Sequence, residues 1–180
     1  MGYNFKYLLI AFLFFSFISC ENSKNEYHKK FAVVSAKIEA SKAGYEILKM
    51  GGNAFDAMIA TDLALAVVYP NAGNLGGGGF MVYRLSDGDY GSLDFREKAP
   101  LAATKDMYLD ESGNVIKGLS REGALSVGVP GTVAGLFEVY DRFGSLPLDS
   151  LFKPALNLAM NGFPLTLSLI HISEPTRRVR

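Results

Sequence analysis

The sequence predicts a layered α+β domain, and three observations carry that prediction. A segment of about fifteen residues, Ala54–Val68, is apolar nearly all round, so it forms a helix buried from several directions. Two β-rich runs, residues 80–85 and 90–95, are joined through Ser86-Asp87-Gly88-Asp89, which signals a hairpin. Further segments carry apolar residues at helical spacing, and such faces are buried by packing against a sheet or another helix.

Residues 31–35 (FAVVS) are a short β-branched run that reads as a strand. Ala40, Ala43, Gly44, Ile47 and Leu48 then fall on one helical face. Gly51 is placed to end that helix as the left-handed residue past its C-cap. Asn53 caps the next helix, and Asp56 suits its positive end. Pro70 stops it. A glycine-dense turn follows over residues 71–79, and then the hairpin. Asp110-Glu111-Ser112-Gly113-Asn114 forms a second turn between residues 107–109 and 115–116. Thr132 is the expected N-cap of a helix with Val133, Leu136, Phe137 and Tyr140 on its inner face and Gly144 at its end. A last helix is expected over residues 154–160, with Pro154 in its first turn and Gly162 after it.

The ends differ from this core. Residues 1–20 (MGYNFKYLLIAFLFFSFISC) have Lys6, then an apolar run broken only by Ser16. The run is short for a membrane span and suits a secretory signal. Its end, Phe17-Ile18-Ser19-Cys20, is similar to a bacterial lipobox, which makes Cys20 a lipidation site. Residues 21–30 form a polar tether. Residues 167–177 (LSLIHISEPTR) are similar to a translated sequencing adapter, so residues 167–180 are set apart from the domain.

Composition narrows the chemistry. The 180 residues hold 18 basic and 18 acidic groups, without the excess of cations a nucleic-acid binder shows. With Lys6 and the tail's Arg177, Arg178, Arg180 and Glu174 set aside, 14 basic and 17 acidic groups remain, a net of −3. The single cysteine excludes an internal disulfide and a cysteine-cluster metal site. The two histidines, His28 and His171, lie in the flanks. Nucleophilic catalysis in the core is then left to Ser, Thr, Lys or a carboxylate. Residues 76–79 are four glycines, but no Lys-Ser or Lys-Thr follows and the chain continues as a strand. Close packing or site lining is the better reading than a phosphate loop.

Four motifs stand in order: Gly51-Gly52-Asn53-Ala54-Phe55-Asp56-Ala57, Gly76-Gly77-Gly78-Gly79-Phe80-Met81, Asp94-Phe95-Arg96-Glu97-Lys98-Ala99-Pro100 and Gly128-Val129-Pro130-Gly131-Thr132-Val133-Ala134-Gly135. Together they resemble the γ-glutamyltranspeptidase (glutathione hydrolase) family over residues 33–166. The resemblance implies part of an N-terminal nucleophile hydrolase fold, an αββα sandwich. It places residues 31–166 in the N-terminal part of the large subunit, whose partner is a small subunit cut from the same precursor. The nucleophile is the small subunit's N-terminal Thr, with its own α-amine as base. Thr61, Thr104, Thr132 and Thr166 do not match that motif, so no catalytic residue is assigned in this chain, and no cofactor or metal is expected.

One family site residue carries over. Arg96 in the Asp-Phe-Arg-Glu motif is expected to bind the α-carboxylate of the γ-glutamyl group of glutathione or a γ-glutamyl peptide. A guanidinium fork suits that planar anion. On the residues alone, an ion pair with Asp94 or Glu97 competes with this role, and Glu97 could also orient Arg96. The alternatives for the whole protein are a related acylase acting on cephalosporins or poly-γ-glutamate, and a non-catalytic lipoprotein. The expected location is a bacterial cell envelope, with the exported chain held by its lipid and facing the periplasm.

Overall fold

The computed structural model describes residues 31–73 and 75–165, so Cys20, His28, Thr166 and His171 lie outside the described residues. Within them run helices α1 (Ile38–Lys49) and α2 (Ala54–Val68), strands β1 (Phe80–Arg84) and β2 (Tyr90–Asp94), a 3₁₀ turn (Ala124–Ser126), and helices α3 (Thr132–Phe143) and α4 (Leu148–Asn161). The class is α+β, as expected.

Helix α2 is the centre. It packs against α1, α3 and α4, which is why its sequence has no polar face. Ala57, Ile59, Ala60 and Leu63 join Ile47, Leu136, Val139, Leu151 and Ala155 in the main core. Ala64 and Val68 meet Ala40 and Ala43 in a second, smaller one. The α1–α2 crossing is close because of Gly44: a Cβ there would run into the Thr61 hydroxyl and come within 2.9 Å of the Ala57 carbonyl.

Local chemistry sets the α1–α2 corner. Past the end of α1, the Gly51 and Gly52 amides donate to the Leu48 and Ile47 carbonyls, a Schellman motif. Gly51 sits at φ +94°, where a Cβ is disfavoured. Asn53 Oδ1 then accepts from the Phe55 and Asp56 amides, while Asp56 Oδ2 accepts from the Asn53 amide. This reciprocal capping box starts α2 where the sequence places it. Asp56 is fully buried and does more. It also accepts from the Ser145 amide (3.0 Å) and hydroxyl (2.5 Å), while Asn53 Nδ2 donates to the Phe143 carbonyl. The N-terminus of α2 is thereby tied to the α3–α4 corner.

The hairpin is antiparallel, pairing Met81 with Leu93 and Tyr83 with Gly91 on its inner face. Met81 and Leu93 pack on the main core. Tyr83 meets Phe55 and Phe143, whose rings stack 4.2 Å apart. Phe80, Val82 and Tyr90 point outward and are exposed.

Three expectations need correction. Residues 31–35 are not a strand among the described residues. Exposure alternates along them as in an extended chain, with Val33 against the core and Val34 in solvent, but neither described strand pairs with them. Helix α3 is capped by Gly131, not Thr132, whose side chain makes no cap bond. Its buried face is Thr132, Gly135, Leu136 and Val139, while Val133 and Phe137 are exposed. The helix is turned this way because Gly135 must lie under the Phe95 ring. Helix α4 begins at Leu148, behind Pro147, and Pro154 lies inside it. Leu148, Leu151, Phe152 and Ala155 form an i, i+3, i+4, i+7 face on the main core. That burial outweighs the backbone bond to Ser150 that Pro154 cannot make.

Candidate substrate-binding site

Arg96 follows β2 by two residues, and its backbone is clamped from both directions. Upstream, Phe95 and Gly79 exchange amide–carbonyl bonds that extend the hairpin ladder (2.9 and 3.4 Å). Downstream, Lys98 and Val129 do the same (3.2 and 2.8 Å). Between these pairs the chain passes through gaps that only glycine leaves open. A Cβ on Gly78 would lie 2.6 Å from the Arg96 Cα, and one on Gly131 would overlap the Phe95 carbonyl. The Gly77 carbonyl accepts from both the Gly131 and Thr132 amides, which locks the start of α3 to the glycine run. Past Gly76, backbone contact is therefore what this run provides: Gly77 holds the start of α3, Gly78 packs on the Arg96 segment and Gly79 pairs with Phe95.

The Arg96 side chain stands out from this frame, 65% exposed. It opens on two adjoining clefts. One, of about 520 Å³, is lined by Asp94, Arg96, Glu97 and Lys98. The other, of about 320 Å³, shares Asp94, Arg96 and Lys98 with it and extends to Val129, Pro130, Ala134 and Glu138. Asp94 Oδ1 accepts from the Arg96 amide (3.0 Å) and lies 3.7 Å from Arg96 Nε. The ion pair is long and exposed, and such pairs contribute only about 0–1 kcal/mol. It leaves the guanidinium open to a ligand. Asp94, and not Glu97, is the acid in contact with Arg96. Glu138 is bound by Arg142 one turn along α3.

Thr61 is buried, and its hydroxyl donates to the Ala57 carbonyl one helical turn back (2.7 Å). Thr132 is buried in the first turn of α3, and Thr104 lies in an exposed turn. Among the described residues, no three His, Cys, Asp or Glu side chains cluster to hold a metal, and no helix is long and apolar enough to cross a membrane. The sequence reading missed the seat under Phe95. Its signal was present as Gly131 and Gly135, one helical turn apart on one face.

A family model described as gamma-glutamyltranspeptidase matches residues 40–178. This chain belongs to the γ-glutamyltranspeptidase family. The match runs past Thr166 into the tail. A glutathione hydrolase proenzyme of Pseudomonas sp. (strain A14) is 59% identical over 133 residues, which is 74% of this chain and 23% of that protein. The γ-glutamyltranspeptidase of Helicobacter pylori superposes with a TM-score of 0.73 at 48% identity, covering 79% of this chain and 41% of that one. A cephalosporin acylase from Bacillus halodurans superposes less well, with a TM-score of 0.64 at 33% identity over 72% of this chain and 24% of that one. The chain thus spans about a quarter of the length of the curated relatives it matches. Its helices and hairpin are part of the N-terminal nucleophile hydrolase fold those transpeptidases share.

Proposed function

We propose that this chain supplies the carboxylate-binding part of a glutathione hydrolase/γ-glutamyltransferase. The carrying observation is Arg96, whose backbone is fixed on both sides while its guanidinium faces an open cleft. The substrate is glutathione or a γ-glutamyl peptide. Its α-carboxylate meets the guanidinium fork, which adds orientation to charge. The Thr hydroxyl of the small subunit, outside this chain, attacks the γ-amide carbonyl and passes its proton through the α-amine to the leaving amine. Water or an amino-acid amine then takes the γ-glutamyl group from the acyl-enzyme. Anchoring the headgroup sets the distance between hydroxyl and amide, which is how a positioning site contributes to rate. Greater similarity to the transpeptidases than to the cephalosporin acylase supports this substrate class over the acylase reading.

The test uses the full-length, self-processed protein. Arg96→Ala lowers kcat/KM for a γ-glutamyl anilide about 100-fold, the loss of a charged hydrogen-bonded contact. Arg96→Lys, which keeps the charge without the fork, falls between. A wild-type value for Arg96→Ala would remove the assignment.

From the lipobox-like end of residues 1–20 we infer that cleavage before Cys20 and its acylation hold the protein on a bacterial envelope membrane, facing the periplasm. Cys20→Ala is expected to move the protein from the detergent phase to the aqueous phase on Triton X-114 partitioning. An unchanged partition counts against lipidation.

A further inference from the structure

We propose that Asp94 is a positioning residue for substrate recognition, acting through Arg96 and touching no substrate itself; this rests on the carboxylate role of Arg96. A single carboxylate oxygen, Asp94 Oδ1, accepts the Arg96 amide hydrogen at 3.0 Å and lies 3.7 Å from Nε of the same residue. It therefore references the far end of a long side chain to its own backbone. Asp94 is the last residue of β2 and is paired with Phe80, so the ladder fixes the reference point. Residues two apart in an extended chain project to the same side, which brings the Asp94 and Arg96 side chains together above the cleft they both line.

The geometry also selects which edge of the guanidinium receives the ligand. The negative charge of Asp94 Oδ1 lies nearest Nε, at 3.7 Å, so an incoming carboxylate is favoured at the terminal Nη pair, farther from that charge, where it can make two parallel bonds. An exposed arginine without such a partner spreads over many rotamers, and that freedom is lost on binding. A preset direction reduces this loss. Glu97 forms no ion pair with Arg96, and its side-chain stem lies near Gly128.

The experiment compares two substrates of the full-length, self-processed enzyme: a γ-glutamyl anilide with a free α-carboxylate, and the same anilide with that group converted to a carboxamide. Asp94→Ala is expected to lower kcat/KM up to about fivefold on the first and to leave the second nearly unchanged. Asp94→Asn, which retains an acceptor oxygen, recovers most of the loss. Self-cleavage into two subunits, read on a gel, reports the folding of each variant. Should Asp94→Ala remain uncut, Asp94→Ser replaces it, with a smaller loss confined to the free-carboxylate substrate. Equal losses on both substrates, or no loss on either, overturn the role of Asp94. Arg96→Ala, run alongside, separates this from its premise: if it too treats both substrates alike, the carboxylate site itself is wrong. If it discriminates and the Asp94 variant does not, only the positioning role falls.

Discussion

Asp56 shows how much one side chain can organise. Burial opposes its charge, but hydrogen bonds from the Ser145 side chain and from the Ser145, Asn53 and Leu146 amides outweigh that and hold the carboxyl below its ordinary range. Replacing it with Ala removes a cap and leaves those donors without their partner, at a cost of about 2–4 kcal/mol, measurable by urea denaturation of the full-length protein. Its contribution is present at neutral pH and is lost as pH falls through the lowered pKa. Asp62, half-buried in α2, has the opposite sign. Burial without a hydrogen-bonding partner pushes its carboxyl up, so its folded form is favoured at low pH and penalised once pH rises through the raised value. Asp62→Asn should therefore raise the thermal midpoint at pH 7, with the gain shrinking as pH falls. A constant gain across pH would assign it to something other than charge. The Asn53 cap and an acid at Asp56 for the helix's positive end were legible in the sequence because both are local signals. The bonds from Ser145, eighty-nine residues away in the chain, were not, because no local rule links a helix N-terminus to a distant corner.

At the scale of elements, the glycines divide sharply. Residues 76–79 look alike in the sequence, yet a Cβ on Gly76 meets nothing within 4 Å, whereas one on Gly78 meets the Arg96 Cα and the Glu97 amide. Gly76→Ala should change stability by less than about 0.5 kcal/mol. Gly78→Ala is expected to cost about 1–3 kcal/mol by overpacking and to reduce kcat/KM by displacing Arg96. Equal behaviour of the two variants in thermal melts and γ-glutamyl anilide assays would contradict the clamp on the Arg96 backbone. The hairpin, the extent of α2 and the Gly51 cap are legible from alternation, unbroken apolarity and turn chemistry. The α3 face is not, because hydrophobicity favours Val133 and Phe137, while the actual contact is made by the absence of a side chain at Gly135 under an aromatic ring. The start of α4 is obscured because Pro154 has the local chemistry of a first turn. Leu148 and Leu151, which do begin the helix, carry no local start signal stronger than Pro147.

At the scale of the molecule, the described unit is sheet-poor. A two-stranded ribbon is marginal without a covered face, and this one turns Phe80, Val82 and Tyr90 outward at 73%, 79% and 84% exposure. Residues 31–165 produced alone should therefore self-associate and bind a hydrophobic dye. Light scattering from a monodisperse, cooperatively melting monomer would refute this. The family resemblance was readable because its four motifs are concentrated where backbones touch: at the α1–α2 corner, the glycine run, the Arg96 segment and the start of α3. The clefts themselves were not readable, since they are spaces left between those segments.

The pairing of Gly79 with Phe95 also bears on how related sequences can drift in length. One residue inserted or deleted between Gly77 and Gly79 would put the Gly77 carbonyl, bound by the Gly131 and Thr132 amides, out of step with the Gly79–Phe95 pair, so that one of the two anchors is lost. The Arg96 segment would then lose one side of its clamp. Chain length on the other side of Gly76 carries no such penalty. Evolutionary gaps should accordingly gather before that glycine and be absent after it.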